Sequence, residues 1–205
     1  LNTARINDAV PTIGAGYGGD KDSQITVNIT GSDIDAGNNV TAKATETDNI
    51  TMTVGGASGG AVAAAAGVGI LNVHRNVGVD IDGGSITAGN AVNVGTDING
   101  EAKLNVYQGS GGVVAVNAAY AGVKTTGSSD IDLSDVTIAG KNISIAAQDN
   151  AKTDLQAVGV AAGVAALGAL AAEAANDSDV SVNMTGTTVT ANEDKDDDES
   201  GKVEI

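Results

Sequence analysis

The sequence has no cysteine, phenylalanine or tryptophan, and only one proline, one histidine and three tyrosines among 205 residues. Without cysteine there is no disulfide, thiol nucleophile or thiolate metal site, a usage that fits an exported bacterial protein. Aromatics at 1% cannot supply the large rings that dominate most cores, and they leave little to build a sugar-stacking platform. Bases are scarce as well: 10 against 26 acids set the net charge at −16. A field of that sign repels nucleic acid and anionic lipid, so neither is expected as a partner. No basic segment followed by an apolar stretch opens the chain, which begins at Leu1 and reads as an internal segment or processed product of a longer protein. The most membrane-like stretch, 157–175, is mostly Ala and Gly with Glu173 inside it. Its transfer energy is too small for a spanning helix, so no membrane insertion is expected.

What the chain does have is 29 glycines, still more alanines, and 41% hydrophobic residues. That is too apolar for a disordered tail. Small side chains in such numbers predict thin, closely spaced layers, hence a β-rich repetitive body rather than an enzyme fold.

A repeat of about 52 residues organises the chain. Ile34-Asp35-Ala36-Gly37-Asn38 returns as Ile86-Thr87-Ala88-Gly89-Asn90, and again in part as Ile138-Ala139-Gly140-Lys141. Val40, Val92 and Ile143 keep the step, as do Met52, Leu104 and Leu155, then Gly60, Gly112 and Gly163. Val182-Asn183-Met184 opens a shortened fourth copy matching Ile131-Asp132-Leu133. The units run over 25–75, 76–127, 128–177 and 178–205, after a partial one at 1–24, all in one continuous domain.

Within a unit, Ile25, Val27 and Ile29 alternate with polar residues, as do Val77, Val79 and Ile81. Alternating β-branched residues closed by Gly, Asn, Asp and Ser predict strands. The fold class expected is all-β: a parallel β-helix, or solenoid, of about four 52-residue repeats. Because the unit is long, each is split into two coils, a polar-alternating half such as 76–102 and a small apolar half such as 103–127. The small halves, 61–68 and 164–175, have high helix propensity. Paired glycines, the Val-rich copy Val113-Val114-Ala115-Val116 and the lack of N-caps favour buried strands instead. Such a small-residue face is a candidate docking surface for another chain.

The segments Asn49-Ile50-Thr51-Met52-Thr53-Val54, 61–73 and 77–94 resemble the repeats of very large bacterial haemagglutinin- and leukotoxin-like filamentous adhesins exported by type V routes. The likeness covers 25–191. It implies a right-handed parallel β-helix forming the shaft of an extracellular protein, and it brings no catalytic residues.

Several residues are weighed for chemistry. Glu193, Asp194, Asp196, Asp197, Asp198 and Glu199 put six carboxylates in seven positions, a calcium candidate set against a solvated acidic loop over 193–199. Gly18-Gly19-Asp20-Lys21-Asp22 echoes a calcium-binding nonapeptide but lacks the third glycine and any tandem repeat, so it reads as a surface turn. His74 and Arg75 are expected at a coil edge facing solvent. Asp80, Asp82, Asp130 and Asp132 offer a carboxylate ladder to a carbohydrate-cleaving enzyme, against the plainer reading that they cap turns. The threonine array Thr26, Thr30, Thr51, Thr53 breaks one unit later, which disfavours ice binding. Asn-x-Thr sequons at Asn28, Asn49 and Asn183 follow from composition. The expected function is a non-enzymatic structural or adhesive segment of a bacterial cell-surface protein. Its expected partners are copies of itself, neighbouring repeats or a cell-surface ligand. The alternatives are a fibre subunit stacking end to end and a carbohydrate-active enzyme.

Overall fold

Segments that alternate apolar and polar residues form strand throughout, and the described residues contain no helix. The computed structural model describes residues 13–14, 17–191 and 201–205. Their strands are β1 Ile13–Gly14, β2 Tyr17–Ala36, β3 Asn39–Gly59, β4 Val62–Ala88, β5 Ala91–Gly111, β6 Val114–Ser134, β7 Thr137–Gly140, β8 Asn142–Asp149, β9 Lys152–Ala162, β10 Ala165–Thr185, β11 Thr188–Ala191 and β12 Lys202–Glu204. The Ala- and Gly-rich runs are thus strands, lying in β4, β6, β9 and β10.

The chain passes back and forth between two parallel sheets. One contains β1, β3, β5, β8, β9 and β12; the other contains β2, β4, β6, β7, β10 and β11. Hydrogen-bonded neighbours are separated by the repeat itself: Val40 pairs with Val92, Met52 with Leu104 and Val62 with Val114. One strand further the step drops by a residue, as in Val92 with Ile143 and Ala165 with Val114. Two coils per unit would demand partners half a unit apart. Instead, the two long strands of each unit lie in different sheets, and only a whole unit returns the chain to the same sheet. The break expected at 102/103 falls inside β5, and the unit limits at 75/76 and 127/128 fall inside β4 and β6. Those limits mark a period in the sequence and not structural joints.

Strands this long are not straight. A left-handed corner recurs once per unit at Gly31 (φ 55°), Gly83 (φ 70°), Asp135 (φ 50°) and Gly186 (φ 62°). Glycine tolerates that backbone at little cost, and aspartate is among the few other residues to adopt it.

The interior between the sheets is divided into two apolar clusters. The larger joins branched aliphatic residues of both sheets, including Val79, Ile81, Ile131 and Leu133 against Val92, Ile98, Ile143 and Ile145. The smaller sets Ile50, Met52, Val54, Leu104 and Val106 of one sheet against Leu71, Val73, Ala119, Ala121 and Val123 of the other. Here large side chains meet small ones. A Cβ on Gly69 would sit 2.8 Å from Val106 Cγ2 and 3.0 Å from Leu104 Cδ1, so glycine leaves the room these side chains fill.

Candidate functional site

Alternation decides which side chains are available for function. On the outer face of the second sheet, strand register stacks Asn28, Asp80, Asp132 and Asn183 in one column. Thr26, Gly78, Asp130 and Ser181 form the next. Gly78 has no side chain, and a shallow depression of about 350 Å³ opens there, lined by Thr26, Asn28, Asp80, Ser128, Asp130 and Asp132 among others. The structure therefore brings together three of the four aspartates singled out for a carboxylate ladder. They do not cap turns: all three lie within strands, and only Asp82 adjoins a corner.

Three of the four carboxylates, those of Asp82, Asp130 and Asp132, are engaged from strand to strand. Asn183 Nδ2 donates to Asp132 Oδ1 at 2.9 Å, Ser181 Oγ to Asp130 Oδ1 at 2.8 Å, and Ser134 Oγ to Asp82 Oδ1 at 2.8 Å. The first sheet carries similar links, with Lys43 Nζ 3.4 Å from Asp97 and Lys103 Nζ 2.5 Å from Asp154. Tyr107 donates to Gln156 on this sheet, while Tyr120 donates to Glu173 on the other. The two tyrosines stand on different sheets and share no platform. Among the described residues, no three His, Cys, Asp or Glu side chains cluster closely enough to hold a metal ion. The calcium candidates at 193–199 lie outside the described residues.

The Gly18–Asp22 motif is strand, paired with Ile70–His74, and not a turn. Thr26 and Thr30 adjoin Gly78 and Asp82, while Thr51 and Thr53 adjoin Lys103 and Asn105, so no threonine array forms. His74 is exposed, as expected. Asn76 Nδ2 donates to His74 Nε2 at 2.8 Å, which leaves Nδ1 to donate to Thr126 Oγ1 at 2.9 Å. In that arrangement the imidazole gives a proton toward the hydroxyl and cannot act as its base.

Arg75 does not face solvent. It is 1% exposed and lies between the sheets, where its Nε and Nη2 hold Asp48 at 2.8–3.0 Å. Glu46, also fully buried, accepts a hydrogen bond from Ser23 Oγ. Burial pushes the Glu46 carboxyl above its ordinary range, and nearby Asp48 adds to this; the Ser23 hydrogen bond, Arg75 and Lys21 pull the other way. Glu46 Oε2 and Arg75 Nη1 have no hydrogen-bond partner. Room for the pair comes from the next strand along, where a Cβ on Gly100 would lie 2.7 Å from Arg75 Nη2. On the next strands the buried polar contacts are uncharged and shifted toward the larger cluster, at Thr96 beside Ala44 and Ser129 beside Val77. Ser129 Oγ donates to the Gln148 carbonyl at 3.0 Å and lies 2.9 Å from the Thr96 hydroxyl. Glu46, Asp48 and Arg75 separate the two apolar clusters, and the Arg75–Asp48 pair ties one sheet to the other.

A further exposed feature is apolar. At the small-residue end of the second sheet, Val62, Val68 and Ile70 of β4 point outward beside Val114 and Val116 of β6 and Leu167 of β10. Their exposures run from 41% to 76%. The described residues contain no helix long and apolar enough to cross a membrane.

Comparison of the chain with known protein families, curated proteins and solved structures finds no match.

Proposed function

We propose that this chain is a non-enzymatic structural segment, a parallel β-solenoid in which each 52-residue unit makes one coil, within a large bacterial extracellular surface protein. Its task is mechanical: stacked coils hold an adhesive side or tip away from the cell. The observation that carries this reading is the use made of the polar side chains. From Asp20–Asn72 to Asp132–Asn183 they bond to the same column one unit on, so the outer surface is a set of ladders rather than a centre assembled around a reacting atom. The resemblance of the repeats to filamentous adhesins points the same way, as does a net charge of −16, which keeps an extended surface soluble.

Negative-stain microscopy tests this reading directly. Purified chain imaged as discrete short rods supports a shaft segment, whereas globular particles overturn it. Long fibres would favour end-to-end stacking of subunits. Leu170 and Val180, 53% and 51% exposed on β10, are the feature that favours that second reading. The depression around Gly78 is the place to look for carbohydrate cleavage. Turnover of a polysaccharide panel, abolished in Asp132→Asn, would replace the structural reading with an enzymatic one.

A further inference from the structure

We infer that the outward apolar face of the second sheet pairs side by side with the same face of a second copy of this chain. The face spans three strands. In register it runs Val62, Val114 and Ala165 in one column, then Ala64, Val116 and Leu167, then Ala66, Ala118 and Ala169. Val68, Tyr120 and Ala171 follow. None of these side chains carries a charge, and the first charged column, with Glu173, bounds the face on one side. The hydrogen bond from Tyr120 to Glu173 keeps that boundary tied along the sheet. This patch is not an end effect, because it lies on the flank of the stack and includes the middle strand β6.

Three physical arguments select a second copy as the occupant. The first is area: the exposed fractions amount to on the order of 700 Å² of apolar side chain per copy, close to the roughly 800 Å² per partner of a standard specific interface. The second is shape. Flat sheets pack face to face about 10 Å apart by interleaving side chains. The small outward alanines let a second face ruled at the same strand spacing come that close. The third is charge. With 26 acids against 10 bases, this molecule approaches its own kind only through a region free of acids, and the face is such a region. The same argument gives a signature: added salt screens the repulsion between copies without weakening an uncharged contact, so association tightens as ionic strength rises.

Sedimentation velocity on the whole chain, across the micromolar range at low and high salt, reads this out. The expected result is a reversible dimer that strengthens with salt. Val116→Lys and Leu167→Lys, at positions already 41% and 71% exposed, should keep the strand signal in circular dichroism and weaken the dimer at least ~100-fold, because each dimer buries the new charges. Thr26→Lys, the same charge change on the polar part of that sheet, should leave it unaltered. Val180→Lys separates this contact from end-to-end stacking. If that variant alone yields monomers, copies meet at β10 and lateral pairing is overturned. Monomers at every concentration and salt overturn it as well, and co-flotation of such monomers with neutral phosphatidylcholine vesicles would assign the face to lipid instead.

Discussion

The two halves of the stack solve the same packing problem with opposite surfaces. Around Val79, Ile81, Ile131 and Leu133 the interior is filled by β-branched and leucine side chains from both sheets, and the outside carries Thr26, Asn28, Asp80 and Asp132. In the other half, large residues of one sheet interlock with Gly69, Ala119 and Ala121 of the other. There the outer face of the second sheet is bare Val, Ile, Leu and Ala, while that of the first keeps the Lys103–Asp154 and Tyr107–Gln156 pairs. Between them runs a buried polar line, ionisable at Glu46, Asp48 and Arg75 with the Ser23 hydroxyl beside them. On the next strands only the hydroxyls of Thr96 and Ser129 follow, shifted toward the larger cluster beside Ala44 and Val77. The difference teaches that burial alone did not choose the outer faces. The outward Val and Leu side chains of the small-residue half make no part of either core cluster, so this apolar exterior is the surface through which we infer that copies pair.

Breaking the polar line should have the largest effect. Asp48→Ala leaves the Arg75 guanidinium buried and unpaired, at a cost of about 3–5 kcal/mol, measurable by urea unfolding. A double change to Asp48→Ala and Arg75→Met should recover much of that loss, since the charge goes with its partner. Next comes the interlock of the small half. Gly69→Ala pushes a methyl against Val106 and Leu104 and should destabilise by ~1–3 kcal/mol; no change in the midpoint would mean that this core is loosely filled. Glu46→Gln bears on the polar line through pH. The folded carboxyl titrates above its ordinary value of 4.5, so its protonated form is the one the fold prefers. Its stabilising contribution is present at acid pH and fades as pH rises through the window above 4.5. The difference in stability between wild type and Glu46→Gln, followed from about pH 4 to 8, should therefore shift toward the variant as pH rises. A difference that does not vary with pH would contradict the shift. On the polar exterior, Gly78→Ala adds a methyl only in ordinary contact with Thr26, 3.7 Å away, and should stabilise by ~0.4–1 kcal/mol through the unfolded chain. Its contrast with Gly69→Ala sharpens the distinction between an inward and an outward glycine. Smallest of all, Lys43→Met at the exposed Asp97 pair should change stability by less than about 1 kcal/mol in thermal melts.

Much of the polar line was readable in advance. Leu71, Val73, Val77, Val79 and Ile81 mark every second residue as inward, and Arg75 falls on that beat. Ala42, Ala44, Ile50, Met52 and Val54 do the same for Glu46 and Asp48, and Val92, Val94 and Ile98 for Thr96. The signal was a charged residue in the apolar phase, with its opposite in the facing strand. Treating His74-Arg75 as a surface dipeptide ignored that phase, which sends neighbours to opposite faces. The carboxylate columns were legible in the same way, because a 52-residue step sets Asp80 beside Asp132.

The sequence by itself determined the strands, the repeat and the pairing of residues one unit apart, because period-two alternation and a conserved step within the chain are local and countable. It did not determine how one unit is laid out. A stretch of 52 residues with glycine-rich breaks is compatible with two short coils or one long one, since Gly83 reads as a turn whether the chain reverses there or merely bends. Only the tertiary structure decided that each unit spans both sheets, because that choice rests on facing side chains fitting together: Gly69 beneath Val106, Gly100 beside Arg75, Arg75 across from Asp48. Those contacts join residues distant in sequence, and their energies belong to the packed interior.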